Sequence, residues 1–128
     1  MRILVVDDSL PMRLLIKKTL KEIGYVDLVL SDSAQNALEI LGNESFDLIL
    51  LDWHMPEMNG FKLLQHLKNA DDLKHIPVIM LTGEGDVANV TRAIDNGAEG
   101  YILKPVNREL LLVRLKDIES NHILGLRK

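Results

Sequence analysis

Residues 2–8 read RILVVDD, an unbroken aliphatic run of Ile3, Leu4, Val5 and Val6 that ends in two adjacent aspartates. A strand with one face in water alternates apolar and polar residues. A continuous run is instead a strand covered on both faces, as in a parallel sheet between two layers of helices. Ser9 is a suitable cap for the helix that must follow, and Pro11 falls where a missing amide hydrogen costs little. Met12, Ile16, Leu20 and Ile23 then recur at helical spacing until Gly24. The same unit repeats outward from this first one. Residues 27–31 (DLVLS) form a second strand, and a helix follows Ser33 with Ala34, Ala37, Leu38 and Leu41 on one side, ending near Gly42 and Asn43. Phe46 to Leu51 is a third strand ending at Asp52, and the loop WHMPEMNG leads to a helix through Phe61, Leu64 and Leu67. After a polar connector at 71–75, Pro77 opens a fourth strand, VIML, followed by the loop 82–86 and a helix marked by Val87, Val90, Ala93 and Ile94. Gly100 to Leu103 is the fifth strand. The last helix is expected over 107–120, with Leu111, Leu115 and Ile118 inward.

Five βα units in 128 residues predict an α/β protein, an open five-stranded parallel sheet with helices on both faces; a closed eight-stranded barrel needs far more chain. One domain is expected over residues 1–120, with a fraying tail at 121–128. At 47% hydrophobic but only 4% aromatic residues, the core should be aliphatic. The net charge of -4, without a long basic run, disfavours direct nucleic-acid binding. No apolar stretch approaches the ~18 residues of a membrane span. Zero cysteines exclude disulfides and thiolate metal sites and fit a cytoplasmic location.

In open α/β sheets, ligands bind outside the carboxyl ends of the strands, where strand order reverses. Those ends carry Asp7 and Asp8, Asp52, Thr82 and Lys104. Singly, each has an ordinary explanation as a helix cap, a turn residue or a solvated strand end. Jointly they place three carboxylates in one cleft if strands 1 and 3 are neighbours, and like charges there disfavour ionisation unless a cation offsets them. All-oxygen ligands favour Mg²⁺, or Mn²⁺, over a structural zinc.

With this order of residues, the chain resembles the receiver domain of two-component response regulators, in its single-domain form. The resemblance covers nearly the whole chain: the acidic pair Asp7-Asp8, Asp52 within LLDWHMPEMNG, Thr82 followed by the small Gly83, Tyr101, and Lys104-Pro105. It implies a flavodoxin-like (βα)5 sandwich with strand order 2-1-3-4-5. Asp52 would be the phosphoacceptor, attacking a phosphohistidine of a histidine kinase or histidine phosphotransfer protein. Asp8 and Asp52 would ligate Mg²⁺ by side chain, His54 by its backbone carbonyl, and Asp7 through water. Lys104 and Thr82 would contact the phosphoryl oxygens, and Gly83 would leave the approach open. His54 and Glu84 would occupy rim positions that tune the lifetime of the acyl phosphate. Thr82 and Tyr101 would form the switch, read out on the face of the fourth helix, fifth strand and fifth helix. The protein would then be a regulatory phosphoacceptor rather than an enzyme, with slow autodephosphorylation and a chemotaxis or phosphorelay output.

Two apolar irregularities point to partners. Leu14 lies about 200° around its helix from Met12, near Lys17, Lys18 and Lys21, and is expected to face water and help dock the phosphodonor. The last helix reads LLLVRL, and Leu110, Leu112 and Val113 exceed what one inward stripe needs, which suits a downstream target or a phosphorylation-dependent homodimer. Trp53, the one tryptophan, follows Asp52 and should report on the cleft through its emission. Two other readings remain open. An aspartate-nucleophile Mg²⁺ phosphohydrolase generally needs a second acid two residues after the nucleophile, where this chain has His54, and a cap that its short loops do not supply. A phosphorylation-independent interaction module would not need the full set of acidic pair, acceptor, Thr and Lys. The 128-residue length also leaves no room for a DNA-binding or catalytic output module, which predicts action on a separate protein.

Overall fold

The computed structural model of the protein describes residues 1–83 and 87–123. Strands and helices alternate as β1 (Ile3–Val6), α1 (Leu10–Glu22), β2 (Leu28–Ser31), α2 (Ala34–Leu41), β3 (Leu48–Asp52), α3 (Gly60–Asn69), β4 (Val78–Thr82), α4 (Val87–Asp95), β5 (Gly100–Leu103) and α5 (Arg108–Ile123). The five strands form one sheet in the order β2-β1-β3-β4-β5, and every pairing is parallel. This is the flavodoxin-like (βα)5 architecture expected above.

The unbroken apolar run has the predicted cause. Ile3, Leu4, Val5 and Val6 are all fully buried, and because side chains alternate between faces, they divide between two cores. Ile3 and Val5 join Leu48, Leu50, Ile79 and Leu81 under α1 and α5, through Ile16, Leu20, Leu111, Leu115 and Ile118. Leu4 and Val6 join Ile49, Leu51, Val78 and Met80 on the other face, with Ala37, Phe61, Leu64 and Ala93 of α2, α3 and α4. Each fully buried Leu, Ile or Val contributes roughly 1.5–3 kcal/mol of transfer free energy.

The helix starts follow their caps. The Ser9 hydroxyl accepts from the Met12 amide at 3.3 Å, Ser33 from Asn36 at 3.0 Å, and the Asn59 side chain from Lys62 at 2.9 Å. Gly24 and Gly97 adopt φ of 100° and 101°, the left-handed conformation that ends α1 and α4.

Several expectations need correction. Helix α5 runs from Arg108 to Ile123, three residues past its expected end at 120; residues 124–128 lie outside the described residues. Leu112 is not surplus, because it packs partly buried against the α1/α5 core, whereas Leu110 and Val113 are exposed. On α4 the apolar markers divide differently from a core stripe. Ala93 is the one buried residue of that helix, and Val87 and Ile94 face outward. Leu14 is half exposed, as its angular position predicts, and it is flanked by exposed Leu10 and Leu15.

Candidate functional site

Strand order reverses at β1, which leads to β2 on one side and sits against β3 on the other. Val6 pairs with Leu51, so Asp7 at the end of β1 comes level with Asp52 at the end of β3. Thr82 pairs with Leu103, and the Lys104 amide donates to the Thr82 carbonyl at 2.7 Å. Four strand ends thereby bring Asp7, Asp52, Thr82 and Lys104 to one edge.

Asp7, Asp8 and Asp52 each offer an oxygen within 4.8 Å of the others. Asp7 is fully buried, Asp52 nearly so, and Asp8 is exposed. Lys104 reaches into the cluster, its Nζ donating to Asp52 Oδ1 at 2.9 Å and Asp7 Oδ2 at 3.1 Å. With all four groups ionised, three negative charges face one positive charge. This excess, presented only by oxygen, makes the cleft able to hold a divalent cation.

Neighbouring groups hydrogen-bond to the cluster and to the loop beside it. Asp7 Oδ1 accepts from the Ser9 amide at 2.9 Å, and Arg13 donates from Nη1 to the Asp7 carbonyl at 2.8 Å. A helical arginine six residues after an aspartate carries no sequence signal, and only the turn between β1 and α1 brings Arg13 to Asp7. Gly60 has an unexpected role too. Punctuation of a turn is the natural reading, yet its φ is not left-handed, and the requirement is space. Its amide donates to the Trp53 carbonyl at 2.9 Å, and a Cβ would lie 1.9 Å from the Asp52 carbonyl oxygen. The loop 53–59 is closed by this contact, with Met55 buried beneath and Glu57 at a φ of 66°.

The other predicted residues are placed as follows. The Thr82 hydroxyl donates to the Gly83 carbonyl at 3.2 Å. Among the described residues, no heavy atom outside its chain neighbours lies within 4 Å of where a Gly83 Cβ would stand. The His54 side chain is exposed. Tyr101 is half-buried, with the guanidinium of Arg114 5.9 Å from its ring centroid. Glu84 lies outside the described residues.

Burial pushes the Asp52 carboxyl above the ordinary carboxylate range. The Lys104 hydrogen bond opposes that shift and the charge of Asp7 reinforces it. Burial pulls Lys104 down, but Asp52 and Asp7 outweigh it and hold the ammonium above its usual value. For Asp52 the raised value means that folding favours the protonated acid. Its stabilising contribution is present below the ordinary carboxylate range and lost as pH rises through the raised value. Asp52→Asn is therefore expected to stabilise the metal-free protein at pH 7. Urea denaturation at stepped pH should show that advantage shrinking as the parent carboxyl protonates. An advantage independent of pH would contradict this account.

The comparisons with known proteins converge on the same reading. Residues 3–116 match the family described as the response regulator receiver domain. The chain belongs to that family. It is 40% identical to the chemotaxis protein CheY1 of Helicobacter pylori over 117 residues, 91% of this chain and 94% of that one. Identity to the chemotaxis protein CheY of Pseudomonas aeruginosa is 36% over 118 residues, 92% of this chain and 95% of that one. A receiver domain protein from Clostridium thermocellum superposes with a TM-score of 0.86 at 30% identity, covering 96% of this chain and 97% of its own. Receiver domains are regulatory phosphoacceptors rather than enzymes, and they work with histidine kinases and phosphotransfer proteins. Among the described residues, no helix is long and apolar enough to cross a membrane.

Proposed function

We propose that this receiver is a cytoplasmic phosphorylation switch whose acceptor is Asp52. The observation that carries the reading is the buried Asp52 carboxylate, hydrogen-bonded to Lys104 at 2.9 Å beside the carboxylates of Asp7 and Asp8. An Asp52 oxygen forms the new P–O bond as the P–N bond of a donor phosphohistidine breaks. The bonding pair stays on the imidazole nitrogen, which takes up a solvent proton. Mg²⁺, or Mn²⁺, held by Asp8, Asp52 and the His54 carbonyl, with Asp7 acting less directly, would supply positive charge for the phosphoryl oxygens. Lys104 supplies the protein's own positive charge there, and the Thr82 hydroxyl, turned from the Gly83 carbonyl, adds a hydrogen bond. His54 and Glu84 tune access of water to the acyl phosphate.

We assign the output to the face of α4, β5 and α5, on which Tyr101 of β5 is half-buried and Val87, Ile94, Leu103, Leu110 and Val113 are exposed. That apolar surface suits a separate target, or a second phosphorylated copy. Leu14, with Leu10, Leu15 and the lysines of α1, suits the donor. Relatives named as chemotaxis proteins favour a chemotaxis output over a relay.

Incubation with Mg²⁺ and acetyl phosphate, followed by intact-mass measurement, tests the reading. The parent should gain one phosphoryl group and D52N none. No gain in the parent, under conditions that phosphorylate a control receiver, would remove the chemical basis of the switch.

A further inference from the structure

Helix α4 is held to the sheet by little apolar burial. Ala93 is its one buried residue, against five in α3, and Val87 and Ile94 are 75% and 45% exposed. Among the described residues, α4 and the turn after it also meet α3 along a seam. The guanidinium of Arg92 stands 4.4 Å from the centroid of the Phe61 ring. Gln65 Nε2 donates to Asn96 Oδ1 at 3.4 Å, and the Lys68 stem lies where a Cβ on Gly97 would be 3.0 Å from it. Positions 61, 65 and 68 form one stripe of α3. Its first member leads back to the cleft. Phe61 stacks on Trp53 with centroids 5.1 Å apart and planes 21° from parallel, and Trp53 directly follows Asp52.

We infer that Trp53, Phe61 and Arg92 form a second link between the acceptor strand and α4, with Arg92 a positioning residue that favours the unloaded cleft. The inference rests on the proposed phosphoacceptor site. Asp52 and His54, whose side chain and carbonyl would hold the divalent ion, bracket Trp53 in sequence, so on this inference loading the cleft shifts the backbone that carries the indole. The indole is held against Phe61, Phe61 against Arg92, and the Gly60 amide ties the two ends of the loop together. The stack resists that displacement. A cation on an aromatic face at an exposed site contributes about 0.5–1 kcal/mol, which is small for α3 with its five buried residues but larger in proportion for α4 with one. By linkage, whatever the stack does to the cleft, loading the cleft does to α4.

Calorimetric titration with Mg²⁺ alone, combined with amide exchange of α4, tests this. R92A and F61L should each bind Mg²⁺ about two- to fivefold more tightly than the parent, the range set by a contact of this size. R92K, which keeps the charge, should fall between R92A and the parent. R92A should add nothing on the F61L background, because the two substitutions break one contact. Exchange in α4 without Mg²⁺ should be faster in R92A, and the increment caused by Mg²⁺ smaller. Variants that lose stability in urea but bind Mg²⁺ as the parent does, or more weakly, would show a merely structural contact and overturn the inference while leaving the proposed function intact. A parent that neither binds Mg²⁺ nor accepts a phosphoryl group would overturn both.

Discussion

Gly60→Ala should lower stability by about 3 kcal/mol or more, a loss at the upper end of what a single methyl group causes. The added Cβ would stand 1.9 Å from the Asp52 carbonyl oxygen, 2.9 Å from its carbonyl carbon and 3.0 Å from Trp53 Cα. All three atoms are backbone, so no rotamer change relieves the clash. Either α3 must withdraw, exposing Phe61, Leu63 and Leu64, or the end of β3 must shift and carry Asp52 with it. Separation would also break the Gly60 to Trp53 hydrogen bond that closes the loop. In urea, where slopes of about 1–3 kcal/mol per molar are usual for small domains, the midpoint should fall by more than about 1 M with little change in slope. A loss below about 1 kcal/mol would mean that the junction of β3 and α3 is softer than its contacts imply.

Lys104→Met should cost about 2–4 kcal/mol at pH 7 without divalent ions. Met retains the aliphatic stem but removes the cation shared by Asp7 and Asp52, whose side chains are 0% and 5% exposed. Breaking a buried ion pair from one side leaves the partner charge desolvated and unpaired, a cost of about 3–5 kcal/mol when both partners are inaccessible. The lower figure reflects Lys104 itself, which keeps 23% exposure. The pH dependence has a fixed sign. Lys104 is held above its usual value, so its contribution is fully present at neutral pH and lost as pH rises through the raised value. The parent should therefore lose stability in that alkaline window and K104M should not. Adding Asp52→Asn to K104M should recover part of the loss, and so should Mg²⁺, since each lowers the net negative charge of the cleft. Thermal melts of the three proteins with and without Mg²⁺ measure all of this. Equal stability of parent and K104M at neutral pH in chelator would contradict the arrangement.

Legibility followed the range of the physics. Local rules read well. The period of apolar residues located five strands and five helices, and Ser9 and Ser33 cap the helices they precede. Residues just past strand ends were legible for a topological reason: in a parallel α/β sheet, every such residue lies on the same edge. Side-chain neighbours from separate elements were less legible. Nothing in the order of residues marks Arg13 for the Asp7 carbonyl or Arg92 for the Phe61 ring. The surplus leucines of α5 show the limit of a helical stripe. Leu112 lies one position from Leu111, yet it packs against the core while Val113 is 62% exposed, because the covered width depends on how α5 sits on the sheet.

From the sequence alone came the alternation of elements, the aliphatic two-sided sheet and the collection of Asp7, Asp8, Asp52, Thr82 and Lys104 at strand ends. These depend on periodicity and on which residue follows each apolar run. Tertiary structure alone decided that Lys104 bridges Asp7 and Asp52, that Gly60 is required for space rather than for φ, and that α4 buries one alanine and meets α3 along a seam. Those facts depend on distances between atoms far apart in the chain, and such distances exist only once the two cores have packed and set the spacing of their layers.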